Sequence, residues 1–133
     1  MAPLSTRPGD DSTHAAFDTL SHEAQLECLR ELAASALDRY GIEPNPPPRL
    51  INLSENATYR IEDGRSRRTF ALRVHREGYH SRNAIASELA WLQALRRERV
   101  VTTPVPIAGV DGQLIQVATH SAIPRGRNVV LFE

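Results

Sequence analysis

The chain has 133 residues, 41% of them hydrophobic, which suits one modest domain with a core and is too little for two lobes. Its 16 basic residues balance 16 acidic ones, so no net field marks a nucleic-acid or membrane-surface partner. Cys28, the single cysteine, excludes a disulfide framework, the N-terminus lacks a signal-peptide core, and no run approaches the roughly 18 apolar residues of a membrane span; together these point to the cytoplasm.

Residues 1–18 are rich in Pro, Gly, Ser, Thr and Asp and poor in large apolar groups, so they are expected to form a disordered tail. A helix follows, with Ser21 as N-cap, Glu23 in the first turn, and Leu26, Leu29, Ala33, Leu37 and Tyr40 as its apolar stripe. Gly41 supplies its stop. Glu43 to Pro48 lacks most backbone donors and reads as a stiff extended spacer. Candidate strands are 49–53, 58–62 and 69–75, with Asp63-Gly64 as the turn between the last two and the following arginines able to lengthen it. A second helix is expected from near Ser81 to about Glu98. Past the proline-rich stretch Thr103 to Pro106 come strands at 107–110 and 113–118, joined by Asp111-Gly112. A loop with Pro124 and Gly126 then leads into a last strand, 128–132. Antiparallel strands with one helix inserted after the third indicate an α+β domain.

Two of these elements carry the chemistry. In the third strand Phe70, Leu72 and Val74 share one face and Ala71, Arg73 and His75 the other. On the second helix Ile85, Leu89, Leu92 and Leu95 define the buried stripe, and Glu88 falls inside that arc, aimed inward. The residues three and four positions away on either side, Ala84, Ile85, Trp91 and Leu92, offer it no cation, so its partner must be tertiary. Arg73 on the adjoining strand is the economical choice. The alternative is that both are ordinary surface residues, and the pattern alone leaves the two readings open.

The stretches 72–81 and 85–95, with Ser54-Glu-Asn-Ala-Thr-Tyr-Arg-Ile61, the proline-rich entry at 101–107 and the final Val-Leu-Phe-Glu, resemble the N-terminal lobe of the aminoglycoside phosphotransferase family, in the broad sense that includes type II homoserine kinase and choline kinase. The resemblance spans residues 20–133 and implies a protein-kinase-like N-terminal lobe over 19–133: an antiparallel sheet of about five strands, one packed helix and an N-terminal helix, ending at the hinge. It implies that Arg73 meets the α and β phosphates of ATP with Glu88 as its helix partner. Ala71 would roof the adenine, Ser54, Glu55 and Asn56 would form the nucleotide loop, and Leu131, Phe132 and Glu133 would present hinge backbone to the base. Most kinase-like folds place Lys where Arg73 stands; all 16 basic residues here are Arg, which accounts for the exchange. The 54–57 turn also lacks the glycine of a phosphate-cradling loop.

In that family the His-Gly-Asp catalytic loop and the Mg²⁺-binding Asp follow the hinge, so this chain is expected to contain no catalytic or metal-binding residue of its own. The reading is an ATP-binding lobe of a small-molecule kinase, truncated before its catalytic lobe. ATP and Mg²⁺ would serve the complete enzyme, with weak or no binding by the lobe alone. The second lobe, or a partner covering the same surface, would be its neighbour, and an uncovered apolar face near the last strand and second helix would drive self-association. A free-standing, non-enzymatic interaction or regulatory module is the alternative. His75 and His80 lack a third ligand in sequence reach for a metal site, and the arginines at 65, 67, 68, 76 and 82 read as a solvated hairpin tip and its surroundings more than as a nucleic-acid patch.

Overall fold

Ser21 opens the first helix, α1 (His22–Ala36): its extended backbone and its Oγ, which accepts the Ala24 N–H at 3.1 Å, satisfy an otherwise unpaired donor of the first turn. The computed structural model describes residues 17–76, 82–98 and 104–133. Helix α1 tightens into a 3-10 turn (Leu37–Tyr40) before Gly41, whose φ of 69° places it in the left-handed region that a side chain disfavours. Leu32, Ala33, Ala36, Leu37 and Tyr40 are buried, so the expected stripe is correct, with Leu32 and Ala36 added and Leu26 and Leu29 only partly covered. Residues 1–16 of the expected tail lie outside the described residues. Phe17, assigned to that tail, is instead buried in the core, and its carbonyl accepts the Gln25 side-chain amide at 2.9 Å.

Among the described residues six strands form one antiparallel sheet: β1 (Arg49–Leu53), β2 (Asn56–Glu62), β3 (Thr69–His75), β4 (Pro106–Ile107), β5 (Ile115–His120) and β6 (Ile123–Phe132). Their order is β1-β2-β3-β6, with β4 and β5 both flanking β6 on its far side. A second helix, α2 (Arg82–Arg97), follows β3. Its proposed cap, Ser81, lies outside the described residues, as do His80 and residues 101–103.

The two helices cover opposite faces of this sheet. Tyr59, Ile61, Leu72, Val74, Val129 and Leu131 belong to the core that also contains Leu32, Ala33 and Leu37 of α1. Ile85 and Leu89 of α2 pack instead with Ile115, Val130 and Phe132, against Ala71. The period-2 alternation of β3 and β6 therefore divides their side chains between two cores. Tyr40 ties α1 to the sheet, its hydroxyl 3.1 Å from the Leu114 carbonyl and 3.2 Å from that of Val129. His120 ties it again: Nδ1 accepts the Ala122 N–H, so the proton rides on Nε2, which donates to Glu31 at 2.7 Å.

Three connections differ from the sequence expectation. The Asp63-Gly64 turn is not a two-residue hairpin: the Asp63 N–H donates to the Arg68 carbonyl and the Arg67 N–H to the Asp63 carbonyl, with Arg67, not glycine, at positive φ. The Asp63 carboxylate accepts the N–H groups of Glu43, Arg65 and Ser66, which orders the loop and straps the proline-rich spacer to it. Strand β4 has two residues where four were expected, because Asp111 gathers the next turn by accepting the Gln113 N–H (2.8 Å) and the Gln116 side-chain amide (2.7 Å). The proline-glycine loop before the last strand is part of β6 itself. Gly126 is needed there because a Cβ would lie 2.5 Å from Val117 Cγ1 on β5. No helix among the described residues is long and apolar enough to cross a membrane.

Candidate functional site

Strand register assembles one face of the sheet from residues far apart in sequence. Asn56 stands opposite His75, Thr58 opposite Arg73 and Arg60 opposite Ala71. On the other side of β3, Arg73 stands opposite Val130 and Ala71 opposite Phe132. Directly opposed residues point to the same side, so these residues form a single surface. Helix α2 covers its β6 end through Ile85 and Leu89, while Thr58, Arg60, Ala71 and Arg73 remain partly or fully exposed. His75, expected on a site or solvent face, shares this side but is buried, at 2% exposure.

Arg73 lies at the border between the covered and open parts. Its Nη1 is 3.4 Å from both Oε1 and Oε2 of Glu88, at the long end of hydrogen-bond range. Glu88 does not point into the core as its helical phase implied: 44% of its side chain is exposed, against 20% for Arg73. It stands at the rim of the α2 stripe, close enough to orient the guanidinium and wet enough to be screened. The Arg73 Cζ also lies 4.8 Å from the centre of the Phe132 ring, a cation–π contact from the second side.

The other proposed site residues divide. Ala71 is half-buried on the Arg73 face. Ser54, Glu55 and Asn56 form the tight β1–β2 turn, closed by the Ser54 N–H donating to the Asn56 carbonyl at 3.0 Å, and none of them adopts positive φ, so the turn needs no glycine. Behind this turn, toward α1, lies a cavity of about 220 Å³. Leu131 is not on the face: its side chain is fully buried in the α1 core and its backbone runs between β3 and β4. Phe132 is on the face, and Glu133 is exposed beyond the strand, its N–H donating to the Val105 carbonyl at 2.8 Å and its carboxylate pairing with Arg68. Sequence reasoning placed Phe132 only as hinge backbone and missed both Thr58 and the Phe132 ring as neighbours of Arg73. Alternation within each strand was legible, but the register joining the strands was not.

A three-layered α+β unit with a strand arginine facing a helix carboxylate across an open sheet face is the architecture of a kinase-like N-terminal lobe. The model of the phosphotransferase enzyme family matches residues 49–125, more than half of the chain, and the chain belongs to that family. Among solved structures, a microcompartment-associated aminopropanol kinase is 43% identical with a TM-score of 0.68, over 77% of this chain and 30% of that one. An amicoumacin kinase in complex with AMP-PNP, Ca²⁺ and Ami shares 13% identity with a TM-score of 0.62, over 96% of this chain and 33% of that one, a likeness of fold alone. The chain thus spans about a third of the solved kinases it matches. No curated protein sequence matches it.

Proposed function

We propose that this chain is the nucleotide-holding lobe of an ATP-dependent kinase acting on a small-molecule hydroxyl. The observation that carries this reading is Arg73, fixed by Glu88 at the edge of an open sheet face. A nucleotide polyphosphate fits the donors present: Glu88 engages one terminal nitrogen of Arg73, the Phe132 ring lies against the guanidinium carbon, and no hydrogen bond among the described residues engages Nε or Nη2. Those nitrogens form a fork suited to two phosphate oxygens.

Bound there, the nucleotide supplies the phosphoryl group that is transferred. Arg73 holds the α and β phosphates, the 54–56 turn closes over them, and Ala71 leaves room for the base beneath the sheet. In this reading Phe132 and Glu133 stand nearest the base edge, with Leu131 behind them inside the sheet. Mg²⁺ does not fit this chain by itself: among the described residues no group of three or more His, Cys, Asp or Glu side chains is placed to hold an ion. The metal carboxylates and the group that deprotonates the acceptor hydroxyl belong in this reading to a second lobe. Trp91 on α2, 63% exposed, would be a contact for that lobe.

Photolabelling with 8-azido-ATP followed by peptide mapping tests this reading. Label is expected on peptides containing residues 71–73 and 129–133, with protection by excess ATP. Label confined to α1, or insensitive to ATP, would refute it.

A further inference from the structure

Arg73 is held from two directions, and only one of them was foreseeable from charge. Glu88 faces Nη1, and Phe132 lies under the guanidinium carbon at 4.8 Å. The ring is itself fixed: Phe132 is 5% exposed and packs with Ile85, Leu89 and Val130. A cation tethered to a carboxylate through one nitrogen remains free to rotate about that contact, whereas one that also lies over the face of an immobile ring has less freedom to swing away. A lysine ammonium at this position would reach the carboxylate but has no plane to stack.

We propose that Phe132 is a positioning residue for Arg73. By keeping the guanidinium seated over the ring it presents Nε and Nη2 away from Glu88, one to an oxygen of the α phosphate and one to an oxygen of the β phosphate, so that a nucleoside diphosphate or triphosphate fills both and a monophosphate held at the same place fills one. This rests on the nucleotide reading above. A lysine there would keep a cation–π contact with Phe132 but lose the two-pronged fork.

The test uses the full chain, isotopically labelled, with ADP and AMP as probes. In the wild type the Arg73 side-chain protons are expected upfield of their usual positions, displaced by the Phe132 ring current. Phe132→Met keeps the buried volume and should abolish that displacement, while Phe132→Tyr keeps it. Phe132→Met should weaken ADP by about threefold to tenfold and AMP by less, and it should cost less in an Arg73→Lys background. Wild-type Arg73 protons without upfield displacement would overturn the proposal, and that observation depends on no variant folding. So would an equal loss of ADP affinity in both backgrounds, which signals general packing. If neither nucleotide binds while the displacement persists and Phe132→Met removes it, the positioning of Arg73 by Phe132 stands and the proposed function falls.

Discussion

Glu88 meets Arg73 with both carboxylate oxygens 3.4 Å from one guanidinium nitrogen, yet 44% of its side chain faces solvent. Such a pair orients more than it stabilises. Desolvation is incomplete on the carboxylate side, so salt and water share its field. Glu88→Ala is therefore expected to lower stability by no more than about 1 kcal/mol, with the difference shrinking as salt rises. Urea unfolding at low and high ionic strength measures it. A loss of several kcal/mol, insensitive to salt, would mean a buried pair and a different packing of α2.

Two buried tyrosines should respond in opposite ways to losing a hydroxyl. Tyr40 shares its one proton between the Leu114 and Val129 carbonyls, whereas the Tyr59 hydroxyl is buried with no hydrogen-bond partner. Tyr40→Phe is expected to destabilise by about 1 kcal/mol and Tyr59→Phe to stabilise by a similar amount, since an unsatisfied buried hydroxyl is worse than none. Matched thermal melts decide it, and destabilisation by both changes would show that Tyr59 has a donor or acceptor after all.

The same residues set the alkaline limit. Burial pushes the Tyr59 phenol up to about 12, with the Arg30 charge opposing, and burial raises Tyr40 as well. A group whose folded pKa exceeds its unfolded value of about 10 contributes stability that is complete below that value and is lost as pH rises toward the folded one. Stability should fall between pH 10 and about 12, and less steeply in Tyr59→Phe, where only the Tyr40 share remains. Denaturant midpoints across that range test the slope.

Asp63 governs the opposite limb. The Ser66 hydroxyl, then the Glu43 N–H and those of Arg65 and Ser66, hold its carboxyl below the usual aspartate range. Its contribution is thus present above the unfolded pKa of about 3.9 and is lost as pH falls through the lowered folded value. Asp63→Asn should reduce stability at neutral pH and flatten the acid limb. An unchanged limb would place the acid sensitivity elsewhere.

Of the apolar surface expected near the last strand and the second helix, only the helix side is open. The last four residues of β6 are at most 5% exposed, whereas Ile51 and Leu53 on the edge strand β1 are about half exposed and Trp91 on α2 is 63% exposed. If the chain self-associates, Ile51→Lys on the edge strand should reduce association and β6 substitutions should not. Sedimentation velocity over a concentration series reads both, and an Ile51→Lys variant that associates like the wild type would point to the Trp91 side.

Helix α1 and strands β1 and β3 were legible because each rests on local periodicity, whereas the Arg73–Glu88 proximity was favoured only by the family resemblance, the pattern alone leaving it open. Burial of Glu88 was not, since helical phase places Cβ but not the tip of a long side chain that reaches water. The proline and glycine of β6 were read as a loop because both signals also mark an irregular strand, and only the close approach of Val117 to Gly126 separates the cases. The role of Leu131 was lost for a related reason: a hinge and an interior strand look alike until β4 is seen on one side and β3 on the other.

Titration calorimetry of Mg·ATP into the wild type and Arg73→Ala tests the proposed function most directly. The wild type is expected to bind with a Kd of about millimolar, because half of the cleft and the metal carboxylates lie outside this lobe, and Arg73→Ala should bind too weakly to measure. Low-micromolar binding by a verified monomer, or binding untouched by Arg73→Ala, would contradict it.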